Sequence, residues 1–302
     1  MCSKNKQNIV ILYSRIMSIK ALIEKLFVGG TWFVGFRPIN EINKPFTVVP
    51  VPDKQWIADP FLYEVSGKHY LFVEQYFVEK QRAGIGVFEF INGIPTNNHL
   101  IIENNYHMSY PCVFSYKGKH YIIPESSANK TIDLYVADVF PYKWSHKATL
   151  LEGEKYVDST VYMENDNCYL LSYKREKKGW LLVLFSLDIE SLCLTKISEK
   201  FYNSNIGRPA GFIYSSDLLF RPSQDCRKKY GEGIIINAVD NIGNNGFDEH
   251  FYSLISHTDI KSSVHFNRVH TINRDSSFEV VDMFREKIDL LHAIRILRRS
   301  IK

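Results

Sequence analysis

The feature that most constrains this chain is a duplication. The stretch Asp59-Pro-Phe-Leu-Tyr-Glu-Val-Ser-Gly-Lys-His-Tyr-Leu-Phe-Val-Glu74 lies over Tyr110-Pro-Cys-Val-Phe-Ser-Tyr-Lys-Gly-Lys-His-Tyr-Ile-Ile-Pro-Glu125 at a constant offset of 51 residues. Each copy reads as two apolar strands joined by a Gly-containing turn. A third copy runs from Asp158 to Ser172, with its turn at Asn165-Asp166-Asn167, and a fourth from Arg208 to Pro222. A looser fifth starts near 277 and runs from Phe278 through Met283 to His292. Strand-like runs at 85–91, 132–137, 180–187 and 234–239 fall between the copies and supply third strands.

A period of about 50 residues with four strands per repeat specifies a β-propeller, because one four-stranded sheet buries both faces only when neighbours stack on it. Five copies fit the length of 302 residues. A β-sandwich lacks such a repeat, and β-helix coils are much shorter. The expected architecture is therefore an all-β, five-bladed propeller over residues 31–302, with blades starting near 59, 110, 158, 208 and 277. A short helical extension is expected over residues 1–30, on the amphipathic stretch 16–27. The aromatic segment 32–36 reads as a strand that closes the ring against the last blade.

Composition excludes some partners. With 37 basic and 33 acidic residues the chain lacks the concentrated basic face of a nucleic-acid binder. Only the end is locally basic, at Arg295, Arg298, Arg299 and Lys302. That tail is read as a solvated end or as a contact for an anionic membrane surface or partner protein. Five widely spaced cysteines without a CxxC pair suggest neither a disulfide framework nor a zinc site. Ser14 and Arg15 interrupt the first apolar run, and no later run has the roughly 18 apolar residues of a membrane span, so a cytoplasmic protein is expected.

In a propeller the innermost strands line a central channel, so equivalent positions converge. The residue opening each copy is Asp59, Tyr110, Asp158 and Arg208 in turn, Glu74 and Glu125 end second strands, and Arg221, Gln224 and Asp225 follow in blade four. Carboxylates converging from several blades suit glycosidic-bond chemistry, which needs one acid and one base or nucleophile. Arg208 and Arg221 suit phosphate or carboxylate, hence a sugar-phosphate or nucleotide-sugar ligand. The alternative is structural: the aspartates cap blade starts and the glutamates pair with the arginines. His69 and His120, at duplicated hairpin positions, read as turn residues. No motif proposes a metal or a cofactor, and none is expected.

With Trp56-Ile-Ala-Asp-Pro-Phe-Leu, Tyr110-Pro-Cys-Val-Phe, Ile123-Pro-Glu-Ser-Ser, Val157-Asp-Ser-Thr-Val-Tyr and Arg221-Pro-Ser-Gln-Asp-Cys, the chain resembles the N-terminal domain of plant glucosamine inositolphosphorylceramide transferases and their bacterial relatives. This domain type is similar, distantly, to five-bladed propeller glycosidases: arabinanases, arabinofuranosidases and invertases. The resemblance implies a base or nucleophile at Asp59 and an acid-tuning role at Asp158. The general acid expected at the start of blade four is replaced by Arg208, which cannot donate a proton usefully near neutral pH. Glu125 is the candidate to fill that vacancy. Three functions follow as expectations: a carbohydrate-active propeller in surface-polysaccharide or glycolipid assembly, glycosyltransferase-like or partner to a glycosyltransferase; a glycoside hydrolase; or a non-catalytic glycan-binding scaffold.

Overall fold

A computed structural model describes residues 28–288. The proposed N-terminal helix and the basic tail lie outside the described residues. Among the described residues there is no α-helix, only strands and two 3-10 turns. None of them forms a helix long and apolar enough to cross a membrane.

The chain opens with β1 (Val28–Pro38) and β2 (Thr47–Val48). Blade one follows as β3 (Gln55–Val65), β4 (Lys68–Phe77), β5 (Arg82–Ile91) and β6 (Ile94–Ile102), and blade two as β7 (Ser109–Tyr116), β8 (Lys119–Ser126), β9 (Thr131–Val139) and β10 (Lys143–Glu152). Blade three holds β11 (Val157–Glu164), β12 (Asn167–Glu176), β13 (Gly179–Asp188) and β14 (Cys193–Tyr202). Blade four holds β15 (Tyr214–Ser215), β16 (Leu219–Asp225), β17 (Gly233–Gly243) and β18 (Gly246–Ser256), and the chain ends in β19 (Ile272–Arg274) and β20 (Phe278–Ile288). The fifth sheet has the order β19-β20-β1-β2, so strands from the two ends of the chain complete one blade. Its first strand, β19, precedes residue 277; the run read from sequence as a blade start is the blade's second strand, β20.

The duplicated hairpins turn on Ser66-Gly67 and Lys117-Gly118, all four residues in the left-handed region. That is the type I′ geometry whose twist matches two antiparallel strands, and it explains the glycines. The register keeps the 51-residue offset: Ala58 pairs with Glu74 and Phe61 with Phe72, as Ser109 pairs with Glu125 and Cys112 with Ile123. Core side chains sit between blades. Val34, Phe36 and Val280 of the fifth blade pack with Ile57, Leu71 and Val73 of the first, while Phe220 and Ile236 of the fourth pack with Ile272 and Val281 of the fifth. Outer strands such as β10 and β14 hold only exposed and half-buried residues, as befits the last layer of a blade.

Candidate functional site

Three inner strands share one irregularity. Asp59, Tyr110 and Asp158 all have φ near +48°, at 48°, 46° and 49°, and each lies where the ladder slips: between Ala58 and Phe61, Ser109 and Cys112, and Val157 and Thr160. A bulge of this kind re-aims its side chain out of the sheet. The non-glycine left-handed backbone costs on the order of 1 kcal/mol at each position, so something must hold it.

At Asp59 the holding group is Asp282 of β20, whose Oδ2 accepts the Asp59 N–H at 3.0 Å. Asp59 Oδ2 in turn accepts the Tyr110 N–H at 3.2 Å, so one blade's carboxylate fixes the next blade's bulge. Asp59 Oδ1 accepts the Thr271 hydroxyl at 3.0 Å and lies 3.6 Å from His270 Nε2. Burial pushes the Asp59 carboxyl up to about 8, against the pull of His270. His270 Nδ1 is 2.5 Å from Asp282 Oδ2. Burial pulls the imidazole down, but Asp282 and then Asp59 outweigh it and lift it to about 9.

The second half of the site centres on Arg208, which donates from Nε to Asp158 Oδ2 at 2.5 Å, from Nη2 to Asp158 Oδ1 at 3.1 Å and from Nη2 to Glu125 Oε2 at 3.3 Å. Gln224 Nε2 donates to the same Asp158 Oδ2 at 2.7 Å. Burial raises the Asp158 carboxyl to about 7, with Arg208 pulling the other way and the Glu125 charge adding to the rise. Tyr230 faces the Arg208 guanidinium at 5.3 Å. The residue is 39% exposed, and its hydroxyl is held well above the ordinary phenol value, chiefly by burial. His107 Nε2, 3.2 Å from Glu74 Oε1, joins this set: burial opposes its charge, and Glu74, with Glu125 and Asp59 beyond it, raises it.

The structure thus brings Asp59, Glu74, Glu125, Asp158, Arg208 and Gln224 into one electrostatically connected cluster. It does not bring Arg221, Asp225 or the Tyr110 side chain there. Arg221 and Gln224 are three residues apart on the regular strand β16 and so face opposite ways. Arg221 is fully buried and donates to Glu249 at 2.7 and 2.5 Å and to the Gly207 carbonyl at 3.2 Å, which makes it a strut. Asp225 is engaged by its neighbour Arg227 at 2.9 and 2.7 Å. The Tyr110 hydroxyl accepts the Gly211 N–H at 2.8 Å and lies 2.9 Å from the Thr160 hydroxyl, fully buried, so this side chain ties blades two, three and four. His69 and His120 pair with Asp275 and Tyr63 at the far ends of the hairpins.

Sequence reasoning missed His270, Asp282, His107 and Tyr230. Only Asp282 carries a local signal, as a lone acid among Val280, Val281 and Met283 in an apolar strand. Asp59, His270 and Asp282 have ligand atoms within 4.8 Å of one another, the one such trio among the described residues. The two carboxylates accept hydrogen bonds from nearby donors, His270 Nδ1 is 2.5 Å from Asp282 and Nε2 is 3.6 Å from Asp59 Oδ1, so the trio is an ion-paired, hydrogen-bonded set.

The model of the family "Glucosamine inositolphosphorylceramide transferase 1, N-terminal" matches residues 46–281. The chain belongs to this family. It is 29% identical over 198 residues to glucosamine inositolphosphorylceramide transferase 1 of Arabidopsis thaliana, covering 61% of this chain and 26% of that protein. It is 27% identical over 206 residues to the Oryza sativa subsp. indica protein of the same name, covering 64% and 27%. The chain therefore spans about a quarter of the length of the curated relatives it matches. Among solved structures, a β-1,2-mannobiose phosphorylase from Listeria innocua superposes with a TM-score of 0.56 at 8% identity, covering 87% of this chain and 99% of that one. An α-L-arabinofuranosidase from Clostridium thermocellum gives 0.53 at 11% identity, covering 72% and 79%. At these identities the likeness establishes the five-bladed fold shared with carbohydrate-active enzymes.

Proposed function

We propose that the chain is a carbohydrate-binding propeller of glycolipid or surface-polysaccharide assembly, acting as a glycosyltransferase-like enzyme or as partner of one, with the sugar held by Asp59, Glu74, Glu125 and Asp158. The observation that carries this is the charge inventory of the cluster in a chain of this family. Carboxylates outnumber cations, and the guanidinium of Arg208 is already matched by Asp158 and Glu125. Arg221, the other arginine expected to meet an anion, is consumed by Glu249. Such a site favours hydroxyl-rich or amine-bearing sugars through carboxylate acceptors, while a donor's phosphate has to lie away from these acids. Free thiols at Cys112, Cys168, Cys193 and Cys226 suit a reducing, cytoplasmic setting.

A second reading, hydrolysis, is favoured by Glu125 standing beside Asp158 and Arg208, with Asp59 as base or nucleophile. One experiment separates the readings. Saturation-transfer NMR is run with glucosamine, N-acetylglucosamine, xylose, L-arabinose and myo-inositol 1-phosphate, alongside turnover assays on p-nitrophenyl glycosides. Sugar binding that disappears in Asp59→Asn and Glu125→Gln, without release of nitrophenol, is expected. Binding of the phosphate alone would overturn the ligand class, and glycoside turnover would favour the hydrolase.

A further inference from the structure

We propose that Asp282 and His270 form a built-in cation–carboxylate brace that orients Asp59 and sets its charge, making both of them positioning residues of the site. The proposal rests on the reading of Asp59 as a ligand-facing carboxylate.

The geometry is that of a tether made three times over. Asp282 accepts four donors: the backbone N–H groups of Asp59 at 3.0 Å, His270 at 3.0 Å and Thr271 at 2.9 Å, and its Oδ2 also lies 2.5 Å from His270 Nδ1. One carboxylate therefore fixes the left-handed backbone of Asp59 and the segment that carries Asp59's side-chain partners, Thr271 and His270. The imidazole is stacked on Trp32, centroids 4.0 Å apart and 15° from parallel, and meets Tyr230 edge-on at 5.0 Å. A ring stacked on Trp32, flanked by Tyr230 and bonded through Nδ1 presents Nε2 to Asp59.

A buried ionic trio is a poor device for stability, since desolvation consumes most of the Coulombic gain. Its effect on Asp59 is specific. Around Asp59 and His270 stand Asp282 from β20, Asp158 from β11, Glu74 from β4 and Tyr230 from the loop after β16; Arg208 acts on Asp158 and Tyr230. Every carboxylate in that list pushes Asp59 toward its neutral form. His270 is the buried cation that opposes them, with His107 adding its charge from beside Glu74, and His270 keeps its charge because Asp282 holds the other ring nitrogen.

The test is a titration that needs no ligand. The carboxyl 13C signals of labelled aspartate and the 15N signals of the histidine rings are followed with pH in wild-type protein and in His270→Gln and Asp282→Asn, with Asp59→Asn assigning the Asp59 signal and thermal melting confirming that each variant is folded. In the wild type the His270 ring should be protonated on both nitrogens at pH 7. In folded His270→Gln the Asp59 midpoint should rise by about one pH unit or more, the size expected on losing an opposite charge at this distance, and in folded Asp282→Asn the His270 ring should release its proton at lower pH than in the wild type. If Asp282→Asn does not fold, His270→Gln alone decides. An Asp59 midpoint unmoved in folded His270→Gln, a His270 midpoint unmoved in folded Asp282→Asn, or a His270 ring singly protonated at pH 7 in the wild type, overturns the proposal. Sugar binding is scored separately, so a failure of the ligand reading leaves this titration intact and a failed brace leaves sugar binding intact.

Discussion

Two arginines that the sequence groups together should respond to the same substitution in opposite ways. Arg221 has no exposed surface and Glu249 has 3% of its side chain exposed; the pair makes two hydrogen bonds, with the Tyr202 hydroxyl as a further donor to Glu249 at 2.6 Å. Arg221→Met leaves Glu249 without its cation in a site closed to water, a change that typically costs about 3–5 kcal/mol. At about 2–4 °C per kcal/mol for a unit of this size, the melting temperature should fall by roughly 6–20 °C. Adding Glu249→Gln removes the orphaned charge yet keeps an acceptor for Tyr202, so the double variant should recover most of that loss. Arg208 differs: its side chain is 21% exposed, and the buried carboxylate it would abandon, Asp158, is already pushed up to about 7 and becomes neutral instead. Arg208→Met at pH 6 should therefore lose only the value of its hydrogen bonds, about 1–2 kcal/mol. Differential scanning calorimetry on the four proteins decides. Equal large losses at both positions would make Arg208 a strut as well, and an unchanged Arg221→Met melting temperature would refute the buried-pair argument.

Two further outcomes are expected. The His270 ring has a folded value raised to about 9 from an ordinary 6.5, so its contribution to stability is complete below about pH 6.5 and disappears as pH rises through 9. Urea unfolding at several pH values should show that decline in the wild type and a flatter profile in His270→Gln; identical profiles would remove His270 as its source. Tyr110→Phe keeps the buried ring but leaves the Gly211 N–H and the Thr160 hydroxyl short of a partner, so it should cost about 1–3 kcal/mol while sugar binding in the folded protein is unchanged. Lost binding with unaltered stability would return Tyr110 to the ligand site.

The fold was legible because duplication writes strand pairing directly into the chain. Gly67 and Gly118 mark equivalent turns, and the Glu74–Glu125 offset survives as ladder register. The fifth blade was read less well, since β19 is three residues long and two of its four strands come from the other end of the chain. In the site, repeat position located Asp59, Asp158 and Arg208, and the period-2 rule alone separates Arg221 from Gln224. What repeat logic could not supply was His270: it stands just before β19, where no copy aligns, and its partners are 12 and 211 residues away in sequence, at Asp282 and Asp59.

The position of the strain explains why these residues, rather than others, make the site. A regular inner strand points its side chains at the neighbouring blades, where they must be apolar to fill the core. A break in the ladder re-aims a side chain, and blades one, two and three place that break at the same residue, Asp59, Tyr110 and Asp158, of which Asp59 and Asp158 join the cluster while Tyr110 ties blades two, three and four. Blade four reaches the same end by abandoning its inner strand: around Arg208 only the bridge from Pro209 to Ser223 remains before β15 begins. The polar bonds then run from blade to blade, Asp282 to the Asp59 amide, Asp59 to the Tyr110 amide, and Asp158 to Arg208 and Gln224. The first of these crosses the seam where the last blade meets the first. Ring closure and the orientation of Asp59 therefore share one carboxylate, Asp282, and the strained backbone of Tyr110 is held in turn by Asp59.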